Sequence, residues 1–252
     1  MSQQNKVWIT GASSGIGLAL VKHYLQADWR VIASARSEGD LSELMATDSR
    51  LTFVPFDIVD KTKIVSVRDE IAKQVDCLDC AILNAGTCEY LDIEGEQTDW
   101  SMMERIMSVN FFGMVNSVEM CLPLLQKSSQ PHLVGISSQA VQAAFPRAEA
   151  YGASKAAIRY FLSSLRMDLN PLGIDVTCIL PGFVDTPLTR KNTFDMPFLM
   201  SADDAAQGMY RAIQKRPYEY AFPRPLSAML WLGRHFPKWW LKKLAPNKTD
   251  NS

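Results

Sequence analysis

A tyrosine and a lysine four residues apart are the residues of this sequence best suited to acid–base chemistry. Tyr151 and Lys155 lie in the run YGASK, which predicts the start of a helix, and their spacing places both side chains on one helix face. A free phenol loses its proton only near pH 10, so proton transfer close to neutral pH needs a neighbouring cation that stabilises the phenolate. Lys155 is placed to be that cation. We therefore predict that Tyr151 acts as a general acid or base.

Two serines precede this pair and end a strand-like run. Ser137 and Ser138 follow Gly135 and Ile136, so they fall at the carboxyl end of a predicted strand. In sheets of parallel strands, binding sites form at that edge. One of the two hydroxyls is therefore a candidate for holding a substrate carbonyl oxygen.

A glycine-rich turn near the amino terminus is a candidate anion site. The run TGASSGIG at residues 10–17 follows a strand-like run and precedes a helical pattern. Glycines permit a tight turn and a close approach of the backbone to a pyrophosphate, and the free N–H groups of a helix start attract the anion. The alternative is a turn without a ligand. Its position between the first strand and the first helix favours dinucleotide binding.

The residues after the second predicted strand bear on which dinucleotide binds. An NAD-binding protein usually carries an acidic side chain here, which holds the ribose hydroxyls. This chain has Ala35 followed by Arg36. A guanidinium can pair with a 2′-phosphate, and without a carboxylate nothing repels that phosphate. The alternative is a solvated loop arginine. The pattern favours NADPH over NADH.

The elements that must position these residues alternate along the chain. Helical patterns separate the apolar strand-like runs, and parallel strands joined by helices must be covered on both faces. We predict an α/β fold, a single-domain Rossmann-like doubly wound parallel sheet with helices on both faces. The segment from Pro187 to Met200 breaks the alternation and is predicted to be a loop where a substrate lid would sit. The strand-like runs are residues 6–10, 30–34, 51–55, 80–84, 132–137 and 175–180.

Composition narrows the functional classes. The 252 residues, 47% of them hydrophobic, suffice for one sizeable core, and a formal net charge of −1 gives no basic face for nucleic acid. Five cysteines and the lack of a signal-peptide pattern before residue 6 favour a reducing, cytoplasmic setting. Charges or prolines interrupt every apolar run, so we expect no membrane span.

The residues that often bind metals show no metal-site pattern. Cys77 and Cys80 have the spacing of redox and zinc sites, but they lack a second ligand pair and lead into a strand, so we expect a structural role. His23, His132 and His235 lie far apart in the sequence. No metal site is predicted.

Taken together, these motifs resemble the short-chain dehydrogenase/reductase family, over roughly Lys6 to Lys215. The TGxxxGxG turn is followed in order by Asn84-Ala85-Gly86, Asn110, Ser138, Tyr151 with Lys155, and Pro181-Gly182 with Thr186. The family's commoner NNAG is LNAG here, and the NAG turn itself is kept. Ser138 lies at the family's usual distance from the tyrosine, so we expect Ser137 to be a strand-end residue.

The resemblance implies a role for each matched position. Ser138 would position the substrate oxygen, Tyr151 would be the acid or base, and Lys155 would lower the tyrosine pKa and bind the nicotinamide ribose. Asn110 would hold a water in the proton relay. It also implies self-association as a homodimer or homotetramer. The implied NADP(H) contacts are Gly11, Ser13, Ser14, Gly15, Ile16, Gly17, Arg36, Asp57, Asn84, Ala85, Gly86, Tyr151, Lys155, Pro181, Gly182, Val184 and Thr186.

The function expected from these residues is NADPH-dependent hydride transfer to or from a carbonyl or alcohol. A protein that binds NADP(H) as a sensor or scaffold without turning it over is the alternative that the fold permits. The presence of Ser138, Tyr151 and Lys155 argues against it. A third alternative is the sugar-nucleotide epimerase or dehydratase chemistry of the related extended proteins. The resemblance implies a TGxxGxxG turn and a longer C-terminal substrate domain for such proteins, and this sequence shows neither.

Residues 223–252 form a tail that differs from the catalytic segment 1–222. Tryptophans alternate with Arg and Lys, and Pro237 is expected to divide the tail into two short helices. Such a segment suits a membrane surface. The alternative is that its apolar residues pack over the substrate pocket or across a subunit boundary. Both interpretations give the pocket an apolar outer wall, which predicts a lipophilic carbonyl or alcohol substrate.

Overall fold

A parallel sheet of seven strands is the centre of the part of the chain that the structure, a computed structural model, describes: residues 4–93, 97–192 and 194–245. The strand order is β3-β2-β1-β4-β5-β6-β7, and every neighbouring pair is parallel. The strands are β1 Lys6–Thr10, β2 Arg30–Ser34, β3 Leu51–Phe53, β4 Cys80–Leu83, β5 His132–Ile136, β6 Asp175–Pro181 and β7 Glu219–Phe222.

Helices cover both faces of this sheet. One layer contains α3, α5 and α6, and the other contains α1 and α7. The helices are α1 Gly15–Gln26, α2 Leu41–Thr47, α3 Ile64–Gln74, α4 Met102–Met107, α5 Gly113–Leu125, α6 Glu149–Leu169, α7 Ala202–Ile213, α8 Arg224–His235 and α9 Pro237–Leu244.

The predicted doubly wound α/β fold is confirmed. The strand order reverses between β1 and β4, and a crevice at the carboxyl edge of such a switch point is where these folds bind ligands. The sequence did not predict β7. This strand lies at the edge of the sheet with only Phe222 buried, and its apolar run, residues 220–222, is too short to indicate a strand.

The core divides into one hydrophobic cluster on each face of the sheet. Along β1, Trp8 contributes to the cluster beneath α3, α5 and α6, and Val7 and Ile9 contribute to the cluster beneath α1 and α7. All three side chains are fully buried. This alternation is what a strand covered on both faces requires, because successive side chains point in opposite directions.

One helical stretch bears on the expectation of no membrane span. Residues 102–125 are helical throughout, and by length and composition alone this helix is long and apolar enough to cross a bilayer. A helix of this length and composition was not anticipated from the sequence, and the expectation of no membrane span stays a prediction. Of the most apolar window, 56% is buried, with Ile106 and Met120 fully so. A core helix meets the same criterion, so this helix is only a weak indication of a span.

Candidate functional site

A cleft of about 900 Å³ opens at the carboxyl edge of the sheet, above the switch point between β1 and β4. Apart from Gly17, every residue predicted to contact the cofactor lines this cleft. Gly17 packs within the fold, since a Cβ there would lie 2.1 Å from the carbonyl oxygen of Gly11. Gly17 therefore allows α1 to approach the turn.

The turn between β1 and α1 has the shape of an anion cradle. Gly11 and Gly15 have φ angles of +64° and +54°, in the left-handed region that favours glycine. A Cβ on Gly11 would lie 2.7 Å from the Cα of Ala85, in the NAG turn. Ser14, the N-cap of α1, makes no side-chain capping bond, so the helix start can offer its N–H groups to a phosphate. The glycine-rich turn and the NAG turn thus meet in space and fit a pyrophosphate.

Arg36 and Asp57 lie on the rim of the same cleft. The Arg36 side chain is exposed and forms no salt bridge or hydrogen bond within the described part of the chain. Ala35 and Ser37 line the cleft beside it. The Asp57 carboxylate accepts a hydrogen bond from the Val59 N–H at 3.2 Å. This end of the cleft therefore presents a cation where the predicted 2′-phosphate would lie.

Tyr151 and Lys155 extend from the first turns of α6 into the other end of the cleft. Lys155 Nζ donates to the Ile136 carbonyl oxygen at 3.0 Å and lies 5.8 Å from the centre of the Tyr151 ring. Burial lowers the pKa of Lys155 to about 8. Burial also raises the pKa of Tyr151 to about 12, against the opposing effect of a hydrogen bond with Ser138. This shift favours the protonated phenol near neutral pH, and the expected lowering of the Tyr151 pKa by Lys155 stays a prediction.

The two serines at the end of β5 have separate partners. The Ser137 hydroxyl is buried and donates to the Lys155 carbonyl oxygen at 2.8 Å. The Ser138 hydroxyl faces Tyr151 and accepts from the Ala140 N–H at 3.1 Å. Ser137 therefore joins β5 to α6, whereas Ser138 is available to a ligand together with Tyr151.

Asn110 occupies a π-helical turn, residues 108–112, between α4 and α5. Such turns are rare and occur frequently at functional sites. The Asn110 Oδ1 accepts from the Thr87 N–H at 2.7 Å, and its Nδ2 donates to the Thr87 carbonyl oxygen and to the Ser154 hydroxyl, each at 2.9 Å. The side chain therefore ties the loop after β4 to α6, beside Lys155. A water-holding role for Asn110 stays a prediction.

A second cavity of about 90 Å³ adjoins the end of the cleft that contains Tyr151, and Ser138 and Tyr151 line both. Its lining is mainly aromatic and aliphatic. A series of ring contacts runs along it, from Tyr90 to Phe194 at 5.9 Å, to Phe183 at 6.0 Å and to Phe145 at 6.3 Å between ring centres. This cavity is suited to an apolar group held against the two hydroxyls.

The C-terminal helices close the far side of this second cavity. Leu226 and Leu230 of α8 line it, and Trp240 of α9 packs against Phe145 at 5.7 Å between ring centres. The Trp240 Nε1 donates to the Ala144 carbonyl oxygen at 2.6 Å. The inner side of α8 and α9 therefore packs over this cavity, which is one of the alternatives expected for the tail. The break between the two helices falls at Pro237, as expected.

Sequence reasoning missed several residues of the site. Thr189 hydrogen-bonds through its hydroxyl to the carbonyl oxygen of Val184 at 2.5 Å and to the N–H of Thr186 at 3.0 Å, so it shapes the segment predicted to clamp the cofactor. Tyr90 donates a hydrogen bond from its hydroxyl to Asn192 Oδ1 at 2.5 Å, and both residues line the second cavity. Neither residue lies in a recognisable motif. Only the fold brings them to the site.

Groups of potential metal ligands are lacking in the described residues: no three His, Cys, Asp or Glu side chains are arranged to hold an ion. Cys77 lies beside Lys6, with 3.6 Å between Sγ and Nζ, and burial raises the pKa of the Cys80 thiol to about 12. These two cysteines belong to the packing around β1 and β4.

The comparisons with known proteins identify the family. Residues 5–196 match the short chain dehydrogenase family. The chain belongs to this family of oxidoreductases. It is 33% identical over 234 residues to an uncharacterized oxidoreductase of Myxococcus xanthus, which covers 91% of each chain. It is 34% identical over 192 residues to the benzil reductase ((S)-benzoin forming) of Saccharomyces cerevisiae, over 73% of each chain.

A solved member of the short-chain dehydrogenases shares the architecture almost end to end. The crystal structure of a short chain dehydrogenase from Burkholderia cenocepacia in complex with NADP superposes with a TM-score of 0.82, at 22% identity, over 97% of this chain and 98% of that chain. At this identity the similarity establishes the shared fold.

Proposed function

We propose that this short-chain dehydrogenase is an NADPH-dependent carbonyl reductase, or alcohol dehydrogenase in the reverse direction, that acts on a lipophilic ketone, aldehyde or alcohol. One observation carries the proposal: the hydroxyls of Ser138 and Tyr151 face each other where the cofactor cleft meets the apolar cavity. A carbonyl group bound there contacts both hydroxyls, and its apolar substituents lie in the second cavity.

The chain's own groups supply the proton and the positioning. Ser138 donates a hydrogen bond to the substrate oxygen, and Tyr151 donates its proton to that oxygen as the carbonyl carbon accepts a hydride. The bound NADPH supplies the hydride. Lys155 holds the nicotinamide ribose, and its ammonium group stabilises the phenolate left on Tyr151. Asn110 fixes the loop and helix around this pair and holds a water that returns the proton.

The choice of NADPH rests on the rim of the cleft. Arg36 offers an unpaired guanidinium, and Ala35 replaces the acidic residue that would repel a 2′-phosphate. The glycine cradle around Gly11 and Gly15 accommodates the pyrophosphate shared by both cofactors. The solved relative from Burkholderia cenocepacia, described with NADP, is consistent with this choice.

The substrate class rests on the second cavity. Phe145, Phe183 and Phe194 provide its aromatic lining, and the tail adds Leu226 and Leu230. Sugars and small hydroxy acids would leave their hydroxyls without partners against these side chains. Reduction of benzil, an aromatic diketone, is the activity in the name of the Saccharomyces cerevisiae relative. We therefore favour a hydrophobic ketone with aromatic or long aliphatic substituents.

The setting proposed for this enzyme is the cytoplasm, with peripheral contact to a membrane through the tail. We keep the division into a catalytic segment, 1–222, and a tail, 223–252. We also propose a homodimer or homotetramer formed through α4 to α6. Large side chains on these helices are exposed, with Phe112 at 46%, Tyr160 at 80% and Met167 at 76%. Burial of such residues would favour association.

NADPH consumption measured with matched ketones tests the proposal. The panel contains acetone, a long aliphatic methyl ketone, benzil and a reducing sugar. We expect kcat/KM to increase from acetone to the long ketone and benzil, and no turnover of the sugar. If the protein binds NADPH yet reduces none of these compounds, it is a silent NADP(H)-binding protein. If it prefers the sugar, the assignment of the apolar cavity is wrong.

A further inference from the structure

The helices α8 and α9 have an outer side that differs from the side packed over the substrate pocket. Here large apolar side chains are exposed in a segment of only two short helices. A protein surface rarely exposes such a cluster unless it contacts a membrane or a partner. We call this surface the outer tail face; its exposed apolar residues are Trp231 at 55%, Leu232 at 43%, Phe236 at 57%, Trp239 at 45% and Leu241 at 66%.

The charges on this segment all have one sign. Residues 224–244 contain five Arg or Lys and no Asp or Glu, although the whole chain has a net charge of −1. Basic and aromatic groups alternate around α9, where Lys243 Nζ lies 5.3 Å from the centre of the Trp239 ring. At the start of α9, Lys238 is exposed beside Phe236. The outer tail face is therefore both apolar and cationic.

We propose that the outer tail face docks on the surface of an anionic lipid bilayer. Tryptophan rings are favoured at the level of the headgroups, and each Lys or Arg near an anionic surface adds to the attraction. A symmetric pair of subunits is a poorer occupant, because a two-fold axis places the same patch against itself. The cations of 224–244 would then face one another without a carboxylate from that segment.

If the outer tail face docks on a bilayer, a groove that leads toward the substrate cavity lies next to the membrane surface. The groove, of about 520 Å³, lies between α8–α9 and the segment 142–146, and Leu241 of the outer tail face is among the residues that line it. Phe145 and Pro146 line both this groove and the substrate cavity. If the proposed function holds, a lipophilic substrate dissolved in the bilayer reaches Tyr151 along apolar side chains.

Co-sedimentation with vesicles tests the docking without substrate or cofactor. The full chain is mixed with vesicles of phosphatidylcholine alone, or of phosphatidylcholine with equimolar phosphatidylglycerol, at low and high salt. We expect binding to the anionic vesicles that salt weakens. Lys238→Glu with Lys242→Glu lowers this binding by about tenfold or more. Trp231→Ser with Trp239→Ser lowers the binding to a similar degree, because the ring contacts are lost.

Two substitutions elsewhere serve as matched controls. Trp100 is 61% exposed and Lys127 is exposed, and both lie outside the tail, so Trp100→Ser with Lys127→Glu should bind vesicles as the unaltered protein does. Equal binding of all variants, or no preference for anionic vesicles, would overturn the proposal. Sedimentation velocity without lipid gives a further test. If the Trp231 and Trp239 variant loses an oligomeric state that the control variant keeps, the outer tail face joins two copies of the chain, and the proposal is overturned.

An activity measurement separates this proposal from the proposed function. The lysine variant should reduce a short soluble ketone as fast as the unaltered protein, and it should reduce a long ketone dissolved in anionic vesicles several-fold more slowly. If vesicle binding is observed but no ketone is reduced, the proposed function fails and the docking stands. If ketones are reduced but vesicles are not bound, only the docking fails.

Discussion

Replacement of Arg36 by alanine should weaken the binding of NADPH and leave the binding of NADH nearly unchanged. Arg36 is exposed on the rim of the cleft, and no carboxylate among the described residues forms an ion pair with it. Its guanidinium therefore reaches a phosphate without losing a partner. A hydrogen bond to a charged group contributes about 1.5–3 kcal/mol, whereas an exposed ion pair contributes about 1 kcal/mol or less.

Because Arg36 is exposed, we expect its contribution to the free energy of NADPH binding to lie between these two ranges. We expect Arg36→Ala to raise the Kd of NADPH about tenfold, which corresponds to about 1.4 kcal/mol. The Kd of NADH should change by less than about twofold, because NADH has no 2′-phosphate for the guanidinium to pair with. The ratio of the two changes isolates the interaction with the 2′-phosphate from any general damage to the cleft.

The assay is a titration of the protein with each reduced cofactor, followed by the change in nicotinamide fluorescence. Arg211→Ala is the matched control, because Arg211 is exposed on α7, outside the residues that line the cleft. Ala35→Asp is the reciprocal variant and should shift the preference toward NADH. Equal weakening of both cofactors by Arg36→Ala would refute the reasoning, as would tighter binding of NADH than NADPH by the unaltered protein.

Three further perturbations have defined outcomes. Lys155→Ala should weaken NADPH binding and abolish turnover together, measured by titration and by NADPH consumption, because one ammonium group serves both; intact turnover would exclude that role. Gly11→Ala should lower Tm and NADPH affinity, because the φ of Gly11 is +64° and an added Cβ would lie 2.7 Å from the Cα of Ala85. The control is Gly152→Ala, which should preserve or raise Tm, because an added Cβ there has no atom within 4 Å. Burial lowers the pKa of His132 to about 4 from 6.5, so the unfolded chain binds the extra proton between these pH values. The free energy of unfolding should therefore fall by at most about 1.4 kcal/mol per pH unit as the pH drops through that range, and His132→Gln, by denaturant titration, should flatten this slope.

Most of the sheet was predictable because its strands are buried on both faces. The apolar runs at residues 6–10 and 30–34 coincide with β1 and β2, and the carboxyl ends of these strands carry the cofactor residues. The strand β7 was missed because its apolar run, residues 220–222, is shorter than the runs that indicate a buried strand. The apolar length of the helix at 102–125 was underestimated, because charged residues such as Glu104, Arg105 and Glu119 do not end a helix that packs against the sheet.

The substrate side of the site was much less predictable than the cofactor side. The residues proposed to contact the phosphates and the ribose lie in short motifs with local geometry, such as the turn at Gly11. The apolar cavity combines Tyr90, Phe145 and Phe183 with the tail, and these residues are far apart in the sequence. The protonation of Tyr151 also depends on tertiary structure, because burial raises its pKa and the sequence does not show how deeply this side chain is buried.

The central claim is that Tyr151 transfers the proton during NADPH-dependent carbonyl reduction. The most direct test is Tyr151→Phe, in which NADPH binding and NADPH consumption with a long aliphatic ketone are measured on the same preparation. Tyr210→Phe on α7, outside the residues that line the two cavities, is the control. We predict that Tyr151→Phe lowers kcat by about 100-fold or more and changes the Kd of NADPH by less than about twofold, because only the hydroxyl that donates the proton is lost. Turnover by Tyr151→Phe at the rate of the control would contradict the claim.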